Sequence, residues 1–262
     1  MAHTRYLAFP ALSPRFLAVW RRHFLVWRKL AVPSILGNLA DPMIMLFGLG
    51  YGLGAVLGEV GGTSYFAFLA SGFLASTTMY AATFESLFSA FSRMHVQKTW
   101  EAIVNAPMTL DDVLAGEWVW AATKSLAAGL SVLLIVSVVG YASYPAALAA
   151  IPAVVLIGLA FGALGLCVNA LATGYDFFSY YMTLLLTPMM MLSGVFFPVD
   201  RLPAPILALT HALPLYHGVE LVRPLLAGRA SGGAWLHVGV LAAYALAGFY
   251  LAAVLTRRRL LK

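Results

Sequence analysis

Cysteine is all but missing. Cys167 is the only one in 262 residues and lies inside an apolar run, so no disulfide can form within the chain and its expected role is packing. Charge is nearly as scarce: 10% of the residues are charged and 62% are hydrophobic. That balance excludes a soluble globular domain and places the chain among polytopic membrane proteins. A His-Glu-x-x-His zinc motif is absent, and His3, His23, His95, His211, His217 and His237 are scattered, reading as interfacial residues rather than metal ligands. A nucleotide loop is absent too. The nearest approach, Gly116 to Ser125, has Thr123 where a P-loop needs glycine before Lys-Ser. No catalytic constellation remains, and no ATP hydrolysis by this chain is expected. The first 34 residues hold no compact apolar core with a small-residue cleavage site, so no signal-peptide cleavage is expected.

What the chain does have is apolar runs. They predict an all-α polytopic membrane protein with six transmembrane helices, at about 35–57, 65–91, 118–139, 148–171, 177–196 and 236–255. The first run alone covers roughly 33 Å at the helical rise, enough to cross a bilayer. Ahead of it, in the tail of residues 1–34, Phe16, Val19, Trp20, Phe24 and Trp27 share one helical face flanked by Arg21, Arg22, Arg28 and Lys29. This is the pattern of a helix lying in the membrane interface; a basic tail without fixed structure is the alternative. Residues 35–262 then form one transmembrane domain.

Six spans put both termini on one side, and charge says which. The first 34 residues hold six Lys or Arg, the loop 93–117 two, and the C-terminal tail four. The loops facing the other way hold Arg201, Arg223 and Arg229. The positive-inside rule therefore puts the termini and the 93–117 loop in the cytoplasm. Segment 197–233 contains an apolar stretch from Leu202 to Tyr216 that is broken by prolines and short for a span, and it reads as a re-entrant exterior lid. Phe197, Pro198, His217, Glu220 and Arg223 are its candidate gate residues. A seventh, broken span is the alternative, and it would send the C-terminal arginines outside.

Charges inside spans are costly and therefore informative. Asp41, Glu85 and Lys124 fall at similar depth on the first three spans, toward the cytoplasmic side. They form either a polar vestibule for a substrate headgroup or a structural ion pair with a snorkelling lysine. On the fifth span, Tyr180, Tyr181 and the run Met189 to Met191, centred on Met190, suit either an amphipathic cargo or plain packing. Gly48, Gly50, Gly52 and Gly54 favour close helix approach or simple chain flexibility.

The loop 93–117 is the polar island in this chain. Trp100, Ile103 and Val104 make the stripe of a short amphipathic helix, with Lys98, Glu101 and Asn105 on its polar flank. Pro107 should end it, and Thr109 with Asp112 should cap the next helix. Periodicity alone also allows a stirrup lying on the membrane.

The order Lys98-Thr99-Trp100-Glu101-Ala-Ile-Val-Asn105-Ala-Pro107, followed by Gly116-Glu117, resembles the coupling segment of ABC-2 type export permeases. Leu192 to Pro203 and Leu213 to Pro224 resemble two late motifs of that family. Trp27 to Leu30, Gly37 to Pro42, Gly48 to Gly54, Ala82 to Glu85 and Ala121 to Lys124 narrow the resemblance to a branch that exports lipo-chitooligosaccharides. The resemblance implies that Lys98, Thr99, Trp100, Glu101, Asn105 and Pro107 dock on a separate ATPase subunit that binds ATP and Mg. It further implies a homodimer over two ATPases in the bacterial inner membrane, exporting a glycolipid, a lipo-oligosaccharide, or a drug-like hydrophobic molecule. No cofactor is expected in this chain, and nucleic acid is not an expected partner. A polytopic membrane transferase would need a clustered active site, and a stand-alone channel or carrier would not need the coupling motif.

Overall fold

The computed structural model describes residues 6–229 and 232–261, Asp41 through its backbone only. Helix α1 is Phe16–Arg28, and α2 is Ala31–Gly52, followed by the single turn α3, Gly54–Leu57. A two-residue hairpin, β1 Glu59–Val60 and β2 Thr63–Ser64, pairs Val60 with Thr63. Its turn is Gly61-Gly62, both at positive φ, as the tightest hairpin turn requires. Helix α4, Tyr65–Phe84, is capped by Ser64 accepting from the Ala67 N–H and runs on into two π segments, Glu85–Ser89 and Ser92–Val96. Then come α5 Thr99–Val104, α6 Leu110–Val138 and α7 Tyr144–Leu171. Next are α8 Tyr175–Tyr181, a π segment Met182–Leu186 and α9 Thr187–Leu192. The chain ends with α10 Ala204–Thr210, α11 Pro214–Leu226 and α12 Ala234–Leu260.

Among the described residues, four helical stretches are long and apolar enough to cross a membrane: Ala31–Leu57, Leu110–Val138, Tyr144–Leu171 and Ala234–Leu260. The run expected at 65–91 is α4 with its π extension, and the run at 177–196 is divided by the π segment between α8 and α9. Helix α7 is the centre of the bundle. Its Ile157, Ala160, Phe161 and Leu166 are fully or almost fully buried, against α4, α6 and α12.

Three expectations change. The loop 93–117 is shorter than expected, because Arg93 still belongs to a π segment and α6 already starts at Leu110. The reason is local: Thr109 and Asp112 form the capping box, so the helix nucleates eight residues before the apolar run at Trp118. Of the glycines in α2 and α3, Gly50 is the one pressed on a neighbour, Phe66; nothing lies near Gly48 or Gly52. Finally, the apolar face of α1 does not lie open to a membrane. Val19 is buried on α6, and the Trp20 indole donates to Thr123 at 2.9 Å. Leu17, Leu25 and Val26, on the other face with Arg21, Arg22 and Lys29, stay open.

Gly116 is what lets α1 approach α6. A Cβ there would sit 2.5 Å from Val19 Cβ and 3.1 Å from the Phe16 carbonyl. Gly116→Leu should therefore push α1 off, at a cost of about 1–3 kcal/mol. Limited proteolysis of the solubilised protein should then cut within residues 15–30 faster than in the parent. Equal cutting rates would show that α1 does not depend on this contact.

Segments near both ends of the described chain converge on the start of α6. Arg257, near the end of α12, forms a two-pronged ion pair with Asp111, at 2.9 and 2.6 Å. The same carboxylate accepts from the Ala11 N–H, while Asp112 accepts from the Ser13 N–H and hydroxyl. Two acids in the first turn also suit the positive end of the helix dipole. The N-terminal strap, the first turn of α6 and the end of α12 are thereby tied together.

Candidate functional site

A buried charge cluster lies between α4, α6 and α1. Arg93 forks onto Glu117, with Nε donating to Oε1 at 2.9 Å and Nη2 donating to Oε2. The same Nη2 donates to Glu85 Oε1 at 2.9 Å. Trp100 and Trp120 donate their indole N–H to Glu117 Oε1 and Glu85 Oε1, each at 2.9 Å. His23 Nε2 lies 3.2 Å from Glu117 Oε1. Both carboxylates are buried, at 6% and 2% exposure. Charges so deep persist only where paired and hydrogen-bonded, which this geometry provides.

The π segments make the arrangement possible. On a regular helix, residues eight apart sit about 80° apart around the axis. The wider π turns bring Arg93 back over Glu85. Asn169 on α7 donates to two carbonyls of the first π segment, Ser86 at 2.8 Å and Leu87 at 3.3 Å.

Glu85 and Lys124, expected as a pair, do lie within reach, with Nζ 3.9 Å from Oε2. That is a secondary contact; the principal partner of Glu85 is Arg93. Sequence reasoning missed Arg93 because it was placed at the edge of a loop, and missed His23 and Trp120 as polar partners of the acids. A signal existed: Glu85 lies within an apolar run and Glu117 borders the next one, and Lys124 alone cannot balance two acids. Asp41, expected at the same depth, lies outside the described residues as far as its side chain is concerned.

The short helix α5 follows Lys98, whose φ of 50° is the only positive value at a non-glycine among the described residues. Such a backbone is uncommon and sets the sharp entry angle of the helix. Lys98, Glu101, Asn105 and Pro107 are exposed, while Thr99 and Trp100 are buried at 8% and 3%. The six residues expected at one docking surface thus divide. Four face outward, and Trp100 plugs the helix into Glu117. Arg15 additionally donates to the Pro107 carbonyl, holding the loop that leaves the helix.

Above the cluster is a cavity of about 650 Å³ between α2, α4, α6 and α9. Glu85 and Lys124 lie on its wall, as do Asn38, Thr77, Tyr80 and Met190. Tyr180 and Tyr181 are not among its lining residues. Tyr180 points outward at 65% exposure, and Tyr181 packs into the core. The two tyrosines sit on α8, before the π segment that turns the chain toward Met190.

Of the residues expected at an exterior gate, Phe197 is exposed and Pro198 half-buried. Arg223 is a pin: Nε donates to Ser71 Oγ at 3.0 Å, Nη2 to the Gly194 carbonyl at 2.6 Å, and the guanidinium stacks 3.8 Å over Phe68. Glu220 lies 3.6 Å from it. His217 Nε2 faces the His211 carbonyl at 2.9 Å and must carry the proton there, since a carbonyl only accepts. Neutral His217 therefore accepts on Nδ1 from His237 Nδ1, also 2.9 Å away. The region 197–229 is bolted to α4 and α12 by polar contacts rather than hanging as a loop.

A helical membrane protein with a short outward-facing helix wired by a buried salt-bridge cluster to the wall of a cavity has the parts of a transporter subunit. The ABC-2 type transporter family model matches residues 14–226, and the chain belongs to that family. Its relatives can be named more closely. The chain is 48% identical to Nodulation protein J of Sinorhizobium fredii over 258 residues, covering 98% of each protein. It is also 48% identical to Nodulation protein J of Rhizobium leguminosarum bv. viciae over 253 residues, and of Bradyrhizobium diazoefficiens over 253 residues, with at least 97% of each chain covered. The chain is thus a transporter component rather than an enzyme, of a family in which a partner ABC ATPase binds the nucleotide.

Proposed function

We propose that the chain is the permease subunit of an ATP-driven exporter that moves an amphipathic glycolipid or lipo-oligosaccharide outward across the bacterial inner membrane. The observation that carries the proposal is the unbroken contact path from α5 to the cavity. Trp100 holds Glu117, Glu117 holds Arg93, and Arg93 holds Glu85 on the cavity wall. A force applied to α5 from below therefore reaches the place where a cargo would sit. The exposed Lys98, Glu101, Asn105 and Pro107 present the surface on which the ATPase would press. The cavity mixes polar groups at Glu85 and Lys124 with Met45, Met190, Phe73 and Phe196, which suits a molecule with a polar head and an apolar tail.

In this reading the chain crosses the membrane six times, with α4 and the α8–α9 stretch as the second and fifth spans. Both termini are cytoplasmic, and segment 197–233 is an exterior lid. Two copies enclose the pathway above two ATPase subunits. Helix α2 supports pairing or lipid contact, because Leu36 and Ile44 on it are 61% and 71% exposed. Transport follows when ATP-driven closure of the ATPases pushes α5 and releases the lid.

Orientation has a direct test. Single cysteines at Asp200 and Arg229, both exposed, in a Cys167→Ala background should react with an impermeant thiol reagent added from outside spheroplasts. Labelling from the cytoplasmic side alone would reverse the topology. Co-reconstitution with an ABC ATPase in vesicles should give ATP-dependent movement of a glycolipid. Movement of hydrophobic cations but no glycolipid would shift the assignment to a drug exporter.

A further inference from the structure

The two ionisable groups on the cavity wall are not equivalent. Glu85 Oε1 already accepts from Arg93 and Trp120, and its side chain is 8% exposed. Lys124 is 25% exposed at the side chain, and its nearest acid oxygen among the described residues is 3.9 Å away, too far for a good hydrogen bond. Its ammonium has three N–H donors, and among the described residues no hydrogen bond uses them. The side chains of Asn38, Thr77 and Tyr80, on the same wall, are likewise uncommitted among the described residues. Elsewhere in the bundle, buried hydroxyls such as Ser71, Thr78 and Ser125 are satisfied by carbonyls of their own helices. Buried side-chain atoms without a partner do occur away from the cavity, at Thr83, Ser86 and Ser193 among others, but those of Lys124, Asn38, Thr77 and Tyr80 border open volume that a ligand could enter.

Charge limits what can fill it. Among the described residues, Glu85 and Glu117 stand against Arg93 and Lys124, two against two. An anionic headgroup brought to Lys124 would lie beside Glu85 and leave the cluster with an excess negative charge in a poorly solvated place. A neutral group rich in hydroxyl and amide oxygens meets the ammonium without that cost.

We propose that Lys124 is the residue that grips the cargo headgroup, through an uncharged, oxygen-rich group, and that Glu85 only orients Lys124 while belonging to the Arg93 cluster. Asn38, Thr77 and Tyr80 supply the remaining polar contacts, and Met190 with Phe73 receives the apolar part. This rests on the exporter reading and adds to it the contact residue and the charge of the headgroup.

The experiment uses the full chain with its ATPase in nanodiscs and a diazirine-bearing dodecyl maltoside as the probe. Crosslinking to the peptide covering residues 73–91 is followed by mass spectrometry as the mole fraction of probe rises. Lys124→Met should raise the half-saturating fraction roughly ten- to hundredfold, the size expected for losing hydrogen bonds from a charged donor. Lys124→Arg should stay close to the parent, and dodecyl phosphate should compete no better than dodecyl maltoside. The proposal is overturned if Lys124→Met, eluting as the parent does, saturates like the parent. It is also overturned if the parent takes up no maltoside probe, or if the phosphate competes tenfold better. Failure of the exporter reading would look different: the parent chain would not associate with the ATPase at all.

Discussion

Arg93→Met is expected to remove most of the folded protein. The substitution leaves Glu85 with only Lys124 at 3.9 Å and Glu117 with only His23 at 3.2 Å as cationic neighbours, for carboxylates at 6% and 2% exposure. Breaking a buried pair by deleting one partner costs about 3–5 kcal/mol, and here one guanidinium serves two acids. The yield of monodisperse protein after detergent extraction should fall at least tenfold, with the thermal transition lowered or lost. Adding Glu85→Gln and Glu117→Gln should restore much of the yield, because neutral amides still accept from Trp120 and Trp100. Lys124→Met should rescue little, since its ammonium is 3.9 Å from Glu85 whereas Arg93 donates at 2.9 Å. If Arg93→Met melts like the parent, the cluster does not hold the fold together.

Glu101→Lys should leave folding intact and abolish transport. Glu101 is exposed on α5 and is not one of the charges paired inside the bundle, so nothing within the chain is lost by reversing it. On the proposed docking face the same change places like charge against the ATPase, which costs several kcal/mol and more than a hundredfold in affinity. In vesicles carrying both subunits, stimulated ATP turnover should drop to the unstimulated level while membrane insertion is normal. Unchanged ATPase binding and turnover would take the docking role away from α5. Trp100→Ala separates the two halves of the path: the ATPase should still bind, but binding should no longer stimulate turnover, since the link to Glu117 is gone.

Much of this was legible along the chain. The apolar runs, the polar island, the break at Pro107 and the cap formed by Thr109 and Asp112 all depend on residues within a few positions of one another. So did the motif Gly116-Glu117, although its meaning did not. Only the packed structure shows that Gly116 admits α1 and that Glu117 receives Arg93 and Trp100. The amphipathic stripe of α1 was plain, but a stripe states that a face will be covered and not by what. Here α6 covers it.

By itself, then, the sequence determined a helical membrane protein with one short amphipathic helix between apolar runs. Hydropathy and helical periodicity are properties of contiguous residues, so a single chain displays them without reference to its fold. The tertiary structure alone decided which charges meet. Arg93 and Glu117 are 24 positions apart, and Asp111 and Arg257 are 146 apart. Such pairs depend on how helices cross, on two π segments that turn Arg93 inward, and on glycines that admit a neighbouring backbone. A helical wheel cannot show these features, because each is a relation between surfaces of different helices.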